Sequence, residues 1–296
     1  MIRLCIALAL LCAACLDFHR GPLPNEPKQA TFATVDDARI RYVDVGTGPA
    51  VVLIHGFGAS LESWAPVIPV LAKQHRVLAL DLKGFGWSDR PDGDYSLAAQ
   101  AHLVLALMTE RGIERAAIVG QSWGAAVALS VVAAAPDRVT RVALYDGLAF
   151  EDQVSSFMSW ARVRGMGKLM FWLMWDGSLL SENAQVAFYD KSIVTADHLD
   201  RIQASMDRPG ATAAAYSVVH QLRLVELQQR YRTMTQPFLL LWGREDQITP
   251  RRFGERLARE LPNAKMIVYP RCGHLPQVEA PHSTADLAAF LAEDAS

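Results

Sequence analysis

The chain has 296 residues, 51% of them apolar and 20% charged, with a formal net charge of −2. That balance excludes a disordered chain and gives no electrostatic reason to expect nucleic acid or an anionic membrane surface as partner. The length suits one large α/β domain with room for an insertion better than two unrelated domains.

In chain order, Arg3 is followed by the apolar run Leu4 to Ala14 and then by Cys15. The run is too short to span a bilayer as a helix, but its length and flanks fit a secretory signal peptide. Ala13 and Ala14 before Cys15 resemble the lipobox of bacterial lipoproteins, although Cys12 stands where a leucine is usual. The resemblance implies lipidation of Cys15 and an exported, periplasmic or membrane-anchored protein; a cytoplasmic protein with an apolar start is the alternative. Cleavage there would remove Cys5 and Cys12. A lipidated Cys15 could not pair with Cys272, so no disulfide framework is expected. Residues 16–30, with Gly21, Pro22, Pro24 and Pro27, read as a tether.

Two β-rich stretches, Thr31–Val35 and Arg39–Val45, read as an edge hairpin. Apolar runs and helical stretches then alternate: a strand at Val51–Ile54, a helix over Ser63–Lys73, and a strand at Arg76–Leu80. A helix follows, capped by Ser96 and ending at Gly112. Next come a strand at Ala116–Val119, a helix at Ala125–Ala135 and a strand at Arg141–Tyr145. Near-continuous apolar strands alternating with helices imply a mostly parallel, doubly wound sheet covered on both faces. The loops leaving the strand C-termini then share one edge, where chemistry is to be sought.

The alternation breaks over residues 147–235, a stretch rich in Met and Trp with helical periodicity and no convincing strand. It reads as a helical cap inserted after the sixth strand. The core, residues 31–146 and 236–296, resumes with a strand at Pro237–Trp242, a helix at Arg251–Leu261, a strand at Lys265–Tyr269 and a final helix from His282 to Ala292.

The strongest local signal is Gly120-Gln121-Ser122-Trp123-Gly124, between a strand and a helix. A serine on a sharp turn needs small neighbours so that strand and helix can approach, and Gly120 and Gly124 supply them. A serine merely capping the helix is the plainer reading of the pentapeptide alone. His55-Gly56-Phe57-Gly58 follows the Val51–Ile54 strand, and a glycine-rich loop there turns backbone N–H groups towards Ser122. The N–H groups of Phe57 and Trp123 are the candidate oxyanion donors, while His55 reads as structural.

A serine hydroxyl needs a base that is neutral at working pH, oriented by a carboxylate. Of the eight histidines, His274 directly follows the Lys265–Tyr269 strand and so lies on the productive edge. His19 is in the tether, and the others apart from His55 sit on helices or their flanks. Two aspartates end strands, Asp246 after Trp242-Gly243-Arg244-Glu245 and Asp146 after Val142–Tyr145. Position alone leaves both open; Asp246, one strand before His274, is preferred and Asp146 is the reserve. The order Ser122, Asp246, His274 is that of the hydrolases with a nucleophile elbow.

With these blocks, and with Asp81-Leu82-Lys83-Gly84-Phe85-Gly86-Trp87-Ser88-Asp89, the chain from Ile40 onward resembles α/β-hydrolases with a helical cap. The Asp81–Asp89 block reads as structural. Serine at the elbow speaks against the similar epoxide hydrolases and haloalkane dehalogenases, which carry aspartate there. The resemblance implies an acyl-enzyme mechanism with no metal or organic cofactor. Its leading expectation is a carboxylesterase acting on a small apolar ester. Carbon–carbon bond hydrolases and proline iminopeptidases share the triad, and Trp123 is similar to the latter. A ligand-binding receptor with vestigial turnover is the alternative of another class.

Within the cap, Leu169-Met170-Phe171-Trp172-Leu173-Met174-Trp175 is unusually apolar. Packing against the core accounts for it; the sharper reading has Met170, Trp172, Met174 and Trp175 lining an adaptable apolar pocket. Oligomeric state and cap mobility are not legible at this level.

Overall fold

The computed structural model describes residues 17–163 and 185–293. Eight strands form one sheet in the order β1-β2-β4-β3-β5-β6-β7-β8: β1 Thr31–Val35, β2 Ala38–Val45, β3 Ala50–Ile54, β4 Arg76–Leu80, β5 Ala116–Gln121, β6 Val139–Tyr145, β7 Phe238–Gly243 and β8 Ala264–Tyr269. The β1–β2 hairpin lies at the edge as expected, and β2 also runs antiparallel to β4; every other pairing is parallel.

Alternation along the strands divides the apolar residues between two faces. Val52, Ile54, Leu78, Leu80, Ile118, Val142, Leu144 and Leu240 pack on one side. Val51, Leu53, Val77, Ala79, Val119, Ala143, Leu239 and Leu241 pack on the other. A strand buried on both faces has no polar side to show, hence the continuous apolar runs in the sequence.

The helix after β4 runs over Leu97–Glu110; the Ser96 hydroxyl accepts from the Ala99 N–H at 3.2 Å, and Gly112 turns the chain out with φ = 66°. The expected helix over Ser63–Lys73 does not form as one piece. A 3₁₀ turn, Leu61–Trp64, and one short helix, Ile68–Leu71, replace it. Pro66 and Pro69 are the reason: each lacks the N–H that would continue the ladder, and each disfavours helix in the residue before it. A short helix at Pro276–Glu279, absent from the sequence reading, precedes the last one at Ser283–Ala292.

Between β6 and β7, a helical cap contributes Ser156–Ala161, Ala196–Met206, Ala211–Gln221 and Val225–Gln228, with no strand among its described residues. The stretch expected to be a tether lies against the core over its described part. His19 forms a bridge to Arg90, Arg20 pairs with Asp37, and Leu23 is buried. Among the described residues, no helix is long and apolar enough to cross a membrane.

Candidate active site

The exits of β3, β5, β6, β7 and β8 meet at one end of the sheet. Ser122 sits between β5 and the Trp123–Ala134 helix with φ = 53° and ψ = −120°, a conformation that costs an ordinary residue about 1–3 kcal/mol. It persists because its surroundings leave no alternative. A Cβ on Gly120 would collide with the Gly124 carbonyl, and one on Gly124 with the carbonyls of Ile54 and His55. The Ser122 N–H donates to Tyr145 O at 2.9 Å, and its carbonyl accepts from Leu148 N at 2.9 Å. Strand, turn and helix thus hold one another, leaving the serine half-buried.

The loop after β3 runs directly beside this turn: a Cβ on Gly56 would collide with the Gln121 side chain and stand 3.2 Å from Ser122 Cβ. Buried His55 fixes the loop, with Nδ1 2.7 Å from Gly56 O and Nε2 accepting from the Leu82 N–H at 3.0 Å. Burial holds its imidazole below the usual histidine range, against the pull of Asp81, so it stays a neutral strut. Phe57 follows in the loop. Trp123 opens the helix, where the first four N–H groups have no partner within it. Phe57, Phe85 and Trp123 stack edge-to-face, with ring centroids 5.4–6.5 Å apart. Phe85 and Trp123 are buried in the core and Phe57 is partly exposed, packed against the cap cluster of Ala161, Ala215 and Val219.

The base and acid candidates come together. His274 Nδ1 lies 2.9 Å from Asp246 Oδ2. Asp246 Oδ1 accepts from the N–H groups of Ile248, 2.7 Å, and Thr249, 3.0 Å, while the Thr249 hydroxyl is 2.6 Å from Oδ2. Burial alone would raise the Asp246 carboxyl; the His274 imidazole and the hydrogen bonds to it outweigh that and hold it at about 2. It is an anion across the working range. The reserve acid, Asp146, is fully buried beside this pair, but its Oδ1 is turned to the Gly243 N–H at 2.9 Å. Burial first, then the neighbouring Asp246 charge, push its carboxyl well above the usual range.

Asp146, Asp246 and His274 place one donor atom each within 4.8 Å of one another, a spacing able to hold a cation. Here His274 Nδ1 pairs with Asp246 Oδ2, and Asp146 Oδ1 with the Gly243 N–H. The Asp81 block is structural in its contacts: Asp81 accepts from Leu61 N at 2.7 Å and Trp87 N at 2.8 Å, tying the loop after β4 to the turn after β3.

Three further positions had no sequence signal of their own. Gln121 Nε2 donates to His274 O at 3.1 Å, linking the elbow to the base loop. Thr249 clamps Asp246. Glu279 accepts from Gly273 N at 2.6 Å and from Tyr189 and Asp190 N–H groups at 2.8 and 3.0 Å, while the His274 N–H donates to Ala187 O at 2.7 Å. The base loop is therefore stitched to the cap segment around residues 187–190. Gln121 and the cap contacts of Glu279 join residues 89 to 153 apart, which no local pattern marks; Thr249 stands only three residues from Asp246. The pocket candidates Met170, Trp172, Met174 and Trp175, and the lipidation candidate Cys15, lie outside the described residues.

A family model described as alpha/beta hydrolase fold matches residues 49–281. The dihydrolipoyllysine-residue acetyltransferase component of the acetoin cleaving system of Cupriavidus necator is 33% identical over 84% of this chain. The chain spans only 65% of that relative's length. The 2-hydroxymuconate semialdehyde hydrolase of Pseudomonas sp. strain CF600 is 30% identical over 91% of this chain and 96% of its own. Other hydrolases of 2-hydroxy-6-oxo acids match at 29–30%. Among solved structures, a bacterial membrane phospholipase A has a TM-score of 0.74 at 25% identity, covering 96% of this chain and 88% of that one.

Proposed function

The chain belongs to the alpha/beta hydrolase fold family, and from that premise we propose that it is a serine hydrolase cleaving apolar carboxylic esters through an acyl-enzyme. The observation that carries the reading is the strained Ser122 turn beside the 2.9 Å His274–Asp246 pair, with Phe57, Phe85 and Trp123 packed edge-to-face next to the turn. An apolar acyl or aryl group gains free energy by leaving water against the partly exposed Phe57 ring.

In the proposed reaction His274 Nε2 takes the Ser122 proton as Oγ attacks the carbonyl carbon. Asp246 holds Nδ1–H and balances the imidazolium that forms. The oxyanion rests on the N–H groups of Phe57 and Trp123, and collapse expels the alcohol with the proton from His274. Water deprotonated by His274 then releases the acid. The steps use only this chain and water.

A second reading, hydrolysis of a carbon–carbon bond next to a ketone, is favoured by the relatives acting on 2-hydroxymuconate semialdehyde and 2-hydroxy-6-oxo acids. It would use the same base to protonate a leaving carbon. The test is hydrolysis of p-nitrophenyl esters from acetate to palmitate, alongside a 2-hydroxy-6-oxo-dienoate, by wild type and Ser122→Ala. Ester turnover that rises with acyl length and falls by about four to six orders of magnitude in the variant is expected. A strict preference for acetate would remove the apolar-ester reading. Turnover of the dienoate alone would install the second one.

A further inference from the structure

Asp146 is a buried carboxyl with one oxygen left over. Oδ1 accepts from the Gly243 N–H, but among the described residues no N–H or hydroxyl donates to the buried Oδ2. The carboxyl group of Asp246 is next to it, within the 4.8 Å cluster that also includes the His274 imidazole. Two carboxylates cannot both stay ionised at that spacing in a dry site, and an unpaired buried acceptor is costly. The chain bends to keep this arrangement: Asp146 has φ = 44°, in the left-handed region that aspartate and asparagine tolerate better than most residues. Its own carbonyl accepts from the Thr249 hydroxyl at 2.9 Å, the same hydroxyl that lies 2.6 Å from Asp246 Oδ2.

We infer that Asp146 is a neutral carboxylic acid whose O–H donates to the Asp246 carboxylate, making it a positioning residue for the acid–base pair rather than a second anion. One proton then serves both carboxyls. Asp246 keeps a single negative charge towards His274, and the donated hydrogen bond fixes its plane and tempers its basicity. The high affinity of Asp146 for its proton, caused by burial and by the Asp246 charge, agrees with this. The other titratable groups facing it are Tyr145 and Cys272, both raised by burial, Glu279, and His274 itself. No lysine or arginine among them would favour an anion.

The inference rests on the serine hydrolase reading for its kinetic test but has a spectroscopic one that does not. In infrared difference spectra at neutral pH, wild type minus Asp146→Asn should show a protonated carboxylic C=O band; a carboxylate band in its place would overturn the proposal. In kinetics, Asp146→Asn keeps an N–H donor to Asp246 and an acceptor for Gly243 N–H, so kcat/KM should stay within a few-fold of wild type, whereas Asp146→Ala should lose about 5- to 10-fold, one net hydrogen bond. With its donor removed, Asp246 attracts the imidazolium more strongly, so the acid limb of the Asp146→Ala profile should move to higher pH, and Asp146→Asn should leave it in place. A collapse of activity in Asp146→Asn would show an anion at work. An unmoved acid limb in Asp146→Ala would reduce Asp146 to packing. Absence of turnover in wild type, with the protonated band present, would count against the hydrolase reading and leave the shared proton standing.

Discussion

The elbow and the loops after β7 and β8 hold their side chains by opposite means. At the elbow, backbone approaches backbone so closely that only glycine fits at positions 120 and 124, and the strain at Ser122 is trapped by contact. In the loops, the geometry of Asp246 and His274 depends on donors from Thr249 and Gln121 and acceptors on Ala187 and Glu279, drawn from four separate parts of the chain. A steric constraint is local and tolerates no substitution. A hydrogen-bonded constraint is distributed and weakens by degrees.

That contrast can be broken most severely at its charged centre. Asp246→Asn should lower kcat by about 10⁴-fold, because the amide favours the wrong imidazole tautomer; steady-state kinetics on a p-nitrophenyl ester checks this. The same variant separates stability from chemistry. The Asp246 carboxyl sits at about 2 in the fold against 3.8 for the free side chain, so folding favours its anion. The stability this adds is complete above 3.8 and is lost as pH falls through about 2. Urea titrations across that window should show wild type losing stability that Asp246→Asn lacks throughout.

On the elbow side, Gly120→Ala should cost more than about 2 kcal/mol of folding stability, since the obstructing atom is the backbone carbonyl of Gly124 and cannot swing away. A Gly120→Ala protein with an unchanged urea midpoint would show that strand and helix can separate there, and the steric account would fall. The mildest effect belongs to Thr249→Val, which keeps the shape and removes the hydroxyl beside Asp246. About 1–2 kcal/mol of stability and roughly tenfold in kcat should go. A loss as large as that of Asp246→Asn would mean that the loop, too, is all-or-none.

Some of this architecture was legible in advance for identifiable reasons. The doubly wound sheet, the edge hairpin and the break into a helical cap follow from apolar runs and their periods. The Ser96 cap and the Gly112 exit follow from the chemistry of helix ends. The helix expected over Ser63–Lys73 is broken by Pro66 and Pro69, which remove two N–H donors from its ladder. The Pro276–Glu279 turn was missed because four residues carry no period.

What the sequence determined by itself was where the candidates stand in the strand order: a glycine-flanked serine after β5, an aspartate after each of β6 and β7 and a histidine after β8, since each depends on residues adjacent in the chain. The choice between Asp246 and Asp146 was not of that kind. Both aspartates end parallel strands, and only the folded arrangement turns Asp246 to His274 at 2.9 Å while pointing Asp146 at the Gly243 N–H. Direction in space depends on hydrogen-bond partners some 100 residues apart, and those meet only when the sheet has closed around them.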